Sequence, residues 1–228
     1  MPFETPKEAP ANIKERLKAT YDEIAPKYND WTARHDHYRL NYLDTLIQTC
    51  PKLVDQAASP RVVELGCGQG KPFLNTLLSK QGPGATAVAN DMSDTQLGFA
   101  RENLAAYGER VTFVARDMTA LDHADGSVSA VVALYSIFHL PSEQQKTMME
   151  RISRWLEPGG CLLFNVPLDK TEHTVMDGWL HEKGWVYFSG LGQKATSERL
   201  KELGLSVEVE KVESDEQETF AWIVAQKA

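Results

Sequence analysis

The stretch Val62-Val63-Glu64-Leu65-Gly66-Cys67-Gly68-Gln69-Gly70 carries the clearest chemistry in the chain. Two β-branched residues lead into an acid, and glycines follow at alternate positions. Such a run suits a buried parallel strand ending in a loop whose backbone must approach a ligand closely. Each glycine removes a Cβ that would hold the ligand off the main chain. Phe73, Leu74, Leu77 and Leu78 then form a helical stripe, so the loop opens onto a helix N-terminus with free N–H donors. A dinucleotide-binding G-x-G-x-x-G loop would need its last glycine at position 71, which is Lys71; the third glycine is Gly70. A carboxylate at Glu64 also suits a ligand bearing an amine or sulfonium cation better than a pyrophosphate.

The pattern Glu64-x-Gly66-x-Gly68-x-Gly70, with Cys67 inside it, resembles the cofactor loop of class I S-adenosylmethionine-dependent methyltransferases. The resemblance implies S-adenosyl-L-methionine as cofactor and S-adenosyl-L-homocysteine as product. Asp91 lies 21 residues past Gly70, where an acid can accept both ribose hydroxyls. The competing role for Asp91 is that of a surface acid capping the next helix, but Ser93 and Gln96 already have capping-box spacing. Met92 is placed to pack on an adenine face. The resemblance further implies that Asp117 or its neighbour meets the adenine amino group, with the Met118 N–H donating to a ring nitrogen. Leu134 or Tyr135 would offer a carbonyl to the methionine amine. Glu64 is expected near the methionine end, holding the loop through backbone N–H groups or facing the ligand.

In methyl transfer the cofactor carries the difficult chemistry. The protein aligns the acceptor, excludes water and for some acceptors removes a proton. Ser136-Ile137-Phe138-His139-Leu140 follow the fourth strand, where the resemblance puts the acceptor face. His139 fits two roles, a catalytic general base with an ordinary pKa near neutrality or a partner for the backbone. Tyr21, Tyr28, Trp31 and His35, together with Trp179 and Trp185, are the expected substrate-binding residues alongside His139. They can enclose an apolar or aromatic acceptor, and part of this set is expected to serve only as core. His35-x-His37 has no companion ligand at suitable spacing, so no metal is expected.

Several elements must position these residues. Ile13, Leu17, Tyr21, Ile24, Tyr28 and Trp31 recur at helical spacing, with Pro26 expected to break or kink the helix, and residues 1–10 read as a loose tail. The segment 21–31 looks like the helical lid that precedes the core in many small-molecule methyltransferases. From Arg61 strands and helices alternate, which implies a parallel sheet covered on both faces. Strands are expected at 61–65, 85–91, 111–115, 127–134 and 161–166. A helix is expected from Pro141 to Leu156, stopped by Pro158-Gly159-Gly160, and a last helix from Thr196 to Leu203. Strands 205–212 and 219–225 flank an acidic turn short enough for an antiparallel hairpin. The expected fold class is α/β: a seven-stranded, mostly parallel sheet with helices on both faces, an antiparallel C-terminal hairpin and an N-terminal helical lid. The organisation expected is a single methyltransferase domain over 1–228, with a lid at 1–55 and a Rossmann-like core at 56–228 interrupted by an insert at 167–192.

Bulk properties narrow the function. The formal net charge of −8 leaves no basic surplus to neutralise phosphates, which weighs against a nucleic-acid acceptor. No apolar run approaches a membrane span, and the first thirty residues lack the regions of a signal peptide. Three scattered cysteines, Cys50, Cys67 and Cys161, fit reduced thiols in the cytoplasm better than a disulfide framework. The function expected is methyl transfer to a small-molecule acceptor, with O, N, S and C acceptors unseparated, by a monomer or homodimer that binds neither nucleic acid nor membrane. The alternatives are a catalytically silent cofactor-binding or regulatory subunit of the same fold and a nicotinamide oxidoreductase, the latter disfavoured by the glycine spacing.

Overall fold

The computed structural model describes residues 3–55 and 57–228. Five parallel strands form the centre of the sheet: β1 (Arg61–Leu65), β2 (Thr86–Asp91), β3 (Val111–Ala115), β4 (Val128–Ala133) and β5 (Leu156–Pro167). The insert supplies its own antiparallel pair, β6 (Thr171–Asp177) and β7 (Trp185–Gly190). β8 (Leu205–Ser214) and β9 (Thr219–Lys227) close the large sheet as an antiparallel hairpin, in the order β3-β2-β1-β4-β5-β9-β8. Chain order reverses between β1 and β4, which opens a crevice beyond their carboxyl ends.

Both faces of β1 are covered. Val62 packs with Leu43, Leu46, Leu74 and Leu77 on one side, and Val63 with Met148, Ile152 and Trp155 on the other. The first layer comes from α2 (Asp36–Thr49), α3 (Pro51–Val54), α4 (Phe73–Lys80) and α5 (Asp94–Asn103). The second comes from α6 (Ser142–Trp155) and α7 (Gln193–Glu202). Strands buried on both faces account for continuous apolar runs such as Val128–Ala133.

The remaining helix, α1 (Ile13–Thr32), lies on the insert hairpin: Ile13 and Leu17 pack with Val175, Trp185, Val186 and Tyr187. It runs through Pro26 as one 20-residue helix, so of the expected break or kink the break does not occur. Pro26 removes one ladder donor, but α1 is tied on either side of it. The Asp22 carboxylate accepts from Ser93 Oγ (2.7 Å) and the Thr95 N–H (3.2 Å), and Thr32 accepts from Arg39 through both its carbonyl (2.9 Å) and its hydroxyl (2.7 Å).

Three other expectations need correction. The tail is tied down at Glu4, which exchanges two backbone hydrogen bonds with Val175 (2.9 and 2.8 Å) and so adds a bridge to β6. β5 begins at Leu156 and runs through Pro158-Gly159-Gly160, because Leu156 pairs with Val128 and the irregularity is taken up as a register shift. α7 begins at Gln193, three residues before the expected start.

Candidate active site

The loop after β1 is shaped by three glycines with positive φ, each for a different reason. A Cβ on Gly66 would lie 2.5 Å from Ser136 Cβ, where the loops after β1 and β4 cross; Ser136 Oγ donates to the Leu65 carbonyl there (2.6 Å). A Cβ on Gly70 would meet Leu104 at 2.7 Å, so this glycine serves helix packing. Only at Gly68 would the Cβ enter open space, with Gln96 Oε1 at 3.8 Å as the nearest atom. Gly68 is therefore the position in the loop where the backbone borders open space. The loop is held by the Asn90 carbonyl, which accepts from the Gly66 and Cys67 N–H groups (2.8 Å each).

Asp91 stands across from Gly68 at the end of β2. Its two carboxylate oxygens accept from the Gly68 and Ser93 N–H groups, both at 2.9 Å. Burial pushes its pKa up, against the pull of those N–H donors. Its oxygens keep lone pairs for further donors. Ser93 is the N-cap of α5 and accepts from the Gln96 N–H (3.1 Å), but the Gln96 side chain does not return the bond. Instead Gln96, 1% exposed, leaves both Oε1 and Nε2 without a partner in the cleft.

The cleft holds about 90 Å³ and brings together Gly66, Gly68, Asp91, Met92, Asp117, Met118, Leu134, Tyr135 and His139 with Tyr21 and Tyr28 of α1. A smaller space of about 40 Å³ continues beside Glu64 and Cys67. Glu64 makes no hydrogen bond to the loop; its Oε2 is buried and unpartnered, and burial pushes its pKa up to about 8 although the Arg39 charge opposes this. Asp117 accepts from the Thr119 N–H (2.9 Å) and hydroxyl (2.7 Å) and pairs with the Lys14 ammonium of α1. Burial works against its charge, yet Lys14 and Thr119 together hold its carboxyl below the usual value. Lys14, Asn90, Gln96 and Arg116 line or shape the cleft without having been singled out in the sequence. The Ser93/Gln96 spacing was a signal for Gln96, read only as a cap.

A second cavity of about 400 Å³ adjoins the first, and Tyr21, Tyr28, Tyr135 and His139 wall both. Its other walls include Trp31, Phe138, Trp179, Phe188 and Phe220. Two expected members lie elsewhere. In β7 side chains alternate, so Val186 and Phe188 face the cavity while Trp185 lies under Arg16, whose guanidinium carbon is 4.0 Å from the indole centroid. His35 is buried behind Tyr135, stacked on its ring at 5.0 Å and bonded to Asp215 (2.8 Å). Among the described residues no cluster of three or more His, Cys, Asp or Glu has metal-binding geometry.

Where the two cavities meet, His139 Nδ1 lies 2.7 Å from the Tyr187 carbonyl and Nε2 lies 2.9 Å from Tyr21 Oη. A carbonyl only accepts, so Nδ1 carries the proton. Burial drives the His139 pKa down to about 4, which leaves Nε2 as a bare acceptor at neutral pH. Tyr21, whose own pKa burial raises well above the usual phenol value, is then the donor.

Residues 62–160 match the family model of a methyltransferase domain. The chain is 35% identical over 133 residues to the methyltransferase GfsG of Streptomyces halstedii, covering 55% of this chain and 46% of that protein. It is 32% identical over 127 residues to a carboxy-S-adenosyl-L-methionine synthase of Shewanella amazonensis, covering 54% and 51%. The chain thus spans about half the length of the curated relatives it matches. Among solved structures it is similar to a Burkholderia thailandensis 1,6-didemethyltoxoflavin-N1-methyltransferase, crystallised with S-adenosylhomocysteine. That likeness has a TM-score of 0.72 at 16% identity, over 99% of this chain and 93% of that one. Residues 62–160 thus carry the match to a methyltransferase domain, and the seven-stranded sheet with the glycine loop facing Asp91 has the fold of that solved structure.

Proposed function

We propose that this protein binds S-adenosylmethionine in the cleft beyond β1 and β2 and transfers its methyl group to a small molecule held in the adjoining aromatic cavity. The observation that carries the reading is the open face of Gly68 opposite the Asp91 carboxylate, with the unpartnered Gln96 and Glu64 side chains beside them. These are donors and acceptors built for a polar ligand, since buried polar atoms without partners are disfavoured in a site that stays empty. Asp91 and Gln96 would hold the ribose hydroxyls, Met92 and Met118 the adenine faces, Asp117 its amino group, and Glu64 with Leu134 and Tyr135 the methionine end.

When bound, the cofactor supplies an activated methyl group. The chain binds and orients both partners, and α1 covers the cleft against water. In this reading His139 Nε2 takes up the proton, directly or through Tyr21. The aromatic cavity, of about 400 Å³, supports a small-molecule acceptor over a nucleic acid. Titration calorimetry with S-adenosylhomocysteine, followed by transfer of labelled methyl groups to an acceptor panel, tests the proposal. Absence of binding would overturn it.

A further inference from the structure

We propose that the acceptor is a flat, uncharged aromatic molecule presenting a weakly acidic hydroxyl to Tyr21. This rests on the methyl-transfer reading and names its substrate class. The first argument is the direction of one hydrogen-bond chain. His139 Nδ1–H donates to the Tyr187 carbonyl, so Nε2 must accept, and the Tyr21 O–H is committed to it. The Tyr21 oxygen, on the wall of both cavities, has only lone pairs left to offer. A ligand group seated there must be a donor. Carbonyls and thioethers are poor matches, whereas a hydroxyl continues the chain and sends its proton the way the other protons already point.

The second argument is shape and charge. The walls are mostly aromatic and apolar, with Trp31, Phe138, Trp179, Phe188 and Phe220 on different elements beside polar Gln217 and Thr219, which suits a planar ring system with a polar substituent. No Lys or Arg is among the described lining residues, so nothing answers a carboxylate or phosphate. The one charged type in the wall is Glu218. Its Oε2 makes no well-formed hydrogen bond, but it is faced at 3.6 Å by Arg34 Nη2 and at 3.3 Å by His35 Nε2, and burial raises its pKa towards the neutral form. With the Arg34 guanidinium already against it, Glu218 is a poor anchor for a cation. The third argument is proton affinity. A base held near 4 is mismatched to an aliphatic alcohol and closer to a phenol or enol, which gives up its proton far more readily.

The test uses the full chain saturated with S-adenosylhomocysteine and four probes of one size: 2-naphthol, naphthalene, 2-naphthoate and 2-naphthylmethylammonium. Fluorescence titration is expected to show 2-naphthol binding tightest, and both charged probes at least tenfold weaker. Tyr21→Phe, which keeps the ring, is expected to weaken 2-naphthol about fivefold, the effect of one hydrogen bond, and to leave naphthalene unchanged. A charged probe binding more tightly than 2-naphthol, equal loss for naphthol and naphthalene in Tyr21→Phe, or no probe binding at all would overturn the proposal. Calorimetry of S-adenosylhomocysteine alone is the separate check on the cofactor reading. Its failure would remove the methyl-acceptor role whatever the probes do.

Discussion

Tyr21 Oη and His139 Nε2 lie 2.9 Å apart across 118 residues of chain, and the Tyr187 carbonyl on the other ring nitrogen makes the phenol the donor. The pair joins the lid helix to the turn after β4 at the junction of the two cavities. His139 thus does bond the backbone, through Nδ1, while keeping Nε2 for the site. Both roles open to it from the sequence are compatible in one ring.

If Nε2 takes the acceptor's proton, His139→Ala should lower turnover by about 10²–10⁴-fold while S-adenosylhomocysteine affinity changes little. With its pKa near 4, the base is lost only as pH falls through about 4. Wild-type turnover should therefore stay level from neutrality to about pH 5. Parallel loss of turnover and cofactor affinity in the variant would show that the ring only supports the fold.

Two glycines of one loop should fail differently. Gly68→Val places a branched side chain in the ligand space at a φ of 53°, and should abolish S-adenosylhomocysteine binding with a near-native circular dichroism spectrum. Gly70→Val drives into Leu104 and should instead lower the unfolding temperature. Equal cofactor affinity in Gly68→Val and wild type would take the loop out of the site.

Asp91→Ala should weaken S-adenosylhomocysteine binding by about 1.5–3 kcal/mol, the range for hydrogen bonds to a charged group. The Gly68 N–H also loses its acceptor, so part of the effect comes through loop geometry. A change below about 0.5 kcal/mol in calorimetry would reduce Asp91 to a local brace.

Lys14 pairs with Asp117 where an adenine amino group is expected, and Asp22 ties α1 to the start of α5. Lys14, Leu17, Tyr21 and Tyr28 of α1 wall the cleft beneath, so α1 is expected to respond to a ligand there. Hydrogen exchange over residues 11–40 should be measurably slower with S-adenosylhomocysteine than without it. Lys14→Met should speed cofactor association. Identical strong protection in both states would make α1 a fixed part of the core.

Glu64 predicts an inverse pH effect. Its folded pKa is raised to about 8, so as pH climbs from the ordinary carboxylate range towards 8 the unfolded state releases a proton that the folded state retains. Stability falls across that window by at most about 1.4 kcal/mol per pH unit. Without ligand, Glu64→Gln should be more stable than wild type at pH 8, with the difference shrinking towards pH 4.5 in chemical denaturation. A pH-independent difference would mean that Glu64 is charged in the fold.

The order of elements was legible in the residues, because apolar runs at 61–65, 111–115 and 128–133 and helical stripes between them depend on local periodicity. The glycines at 66, 68 and 70 and the acids at the ends of the second and third strands could be named from the sequence, because each follows closely on an apolar run, and the cleft brings Gly66, Gly68, Asp91 and Asp117 together. What the three glycines each do was not legible. Only the packing of Leu104 and the crossing of Ser136 separate a steric glycine from a ligand-facing one. The insert at 167–192 carried no strand expectation, and its hairpin packs on α1 and bridges to Glu4, contacts that no local pattern encodes. Tertiary structure likewise sorted the aromatics: strand alternation sends Phe188 to the cavity and Trp185 beneath Arg16, and His35 lies behind Tyr135. The tautomer of His139 was the last matter decided by the fold, because it is set by a carbonyl 48 residues further along the chain.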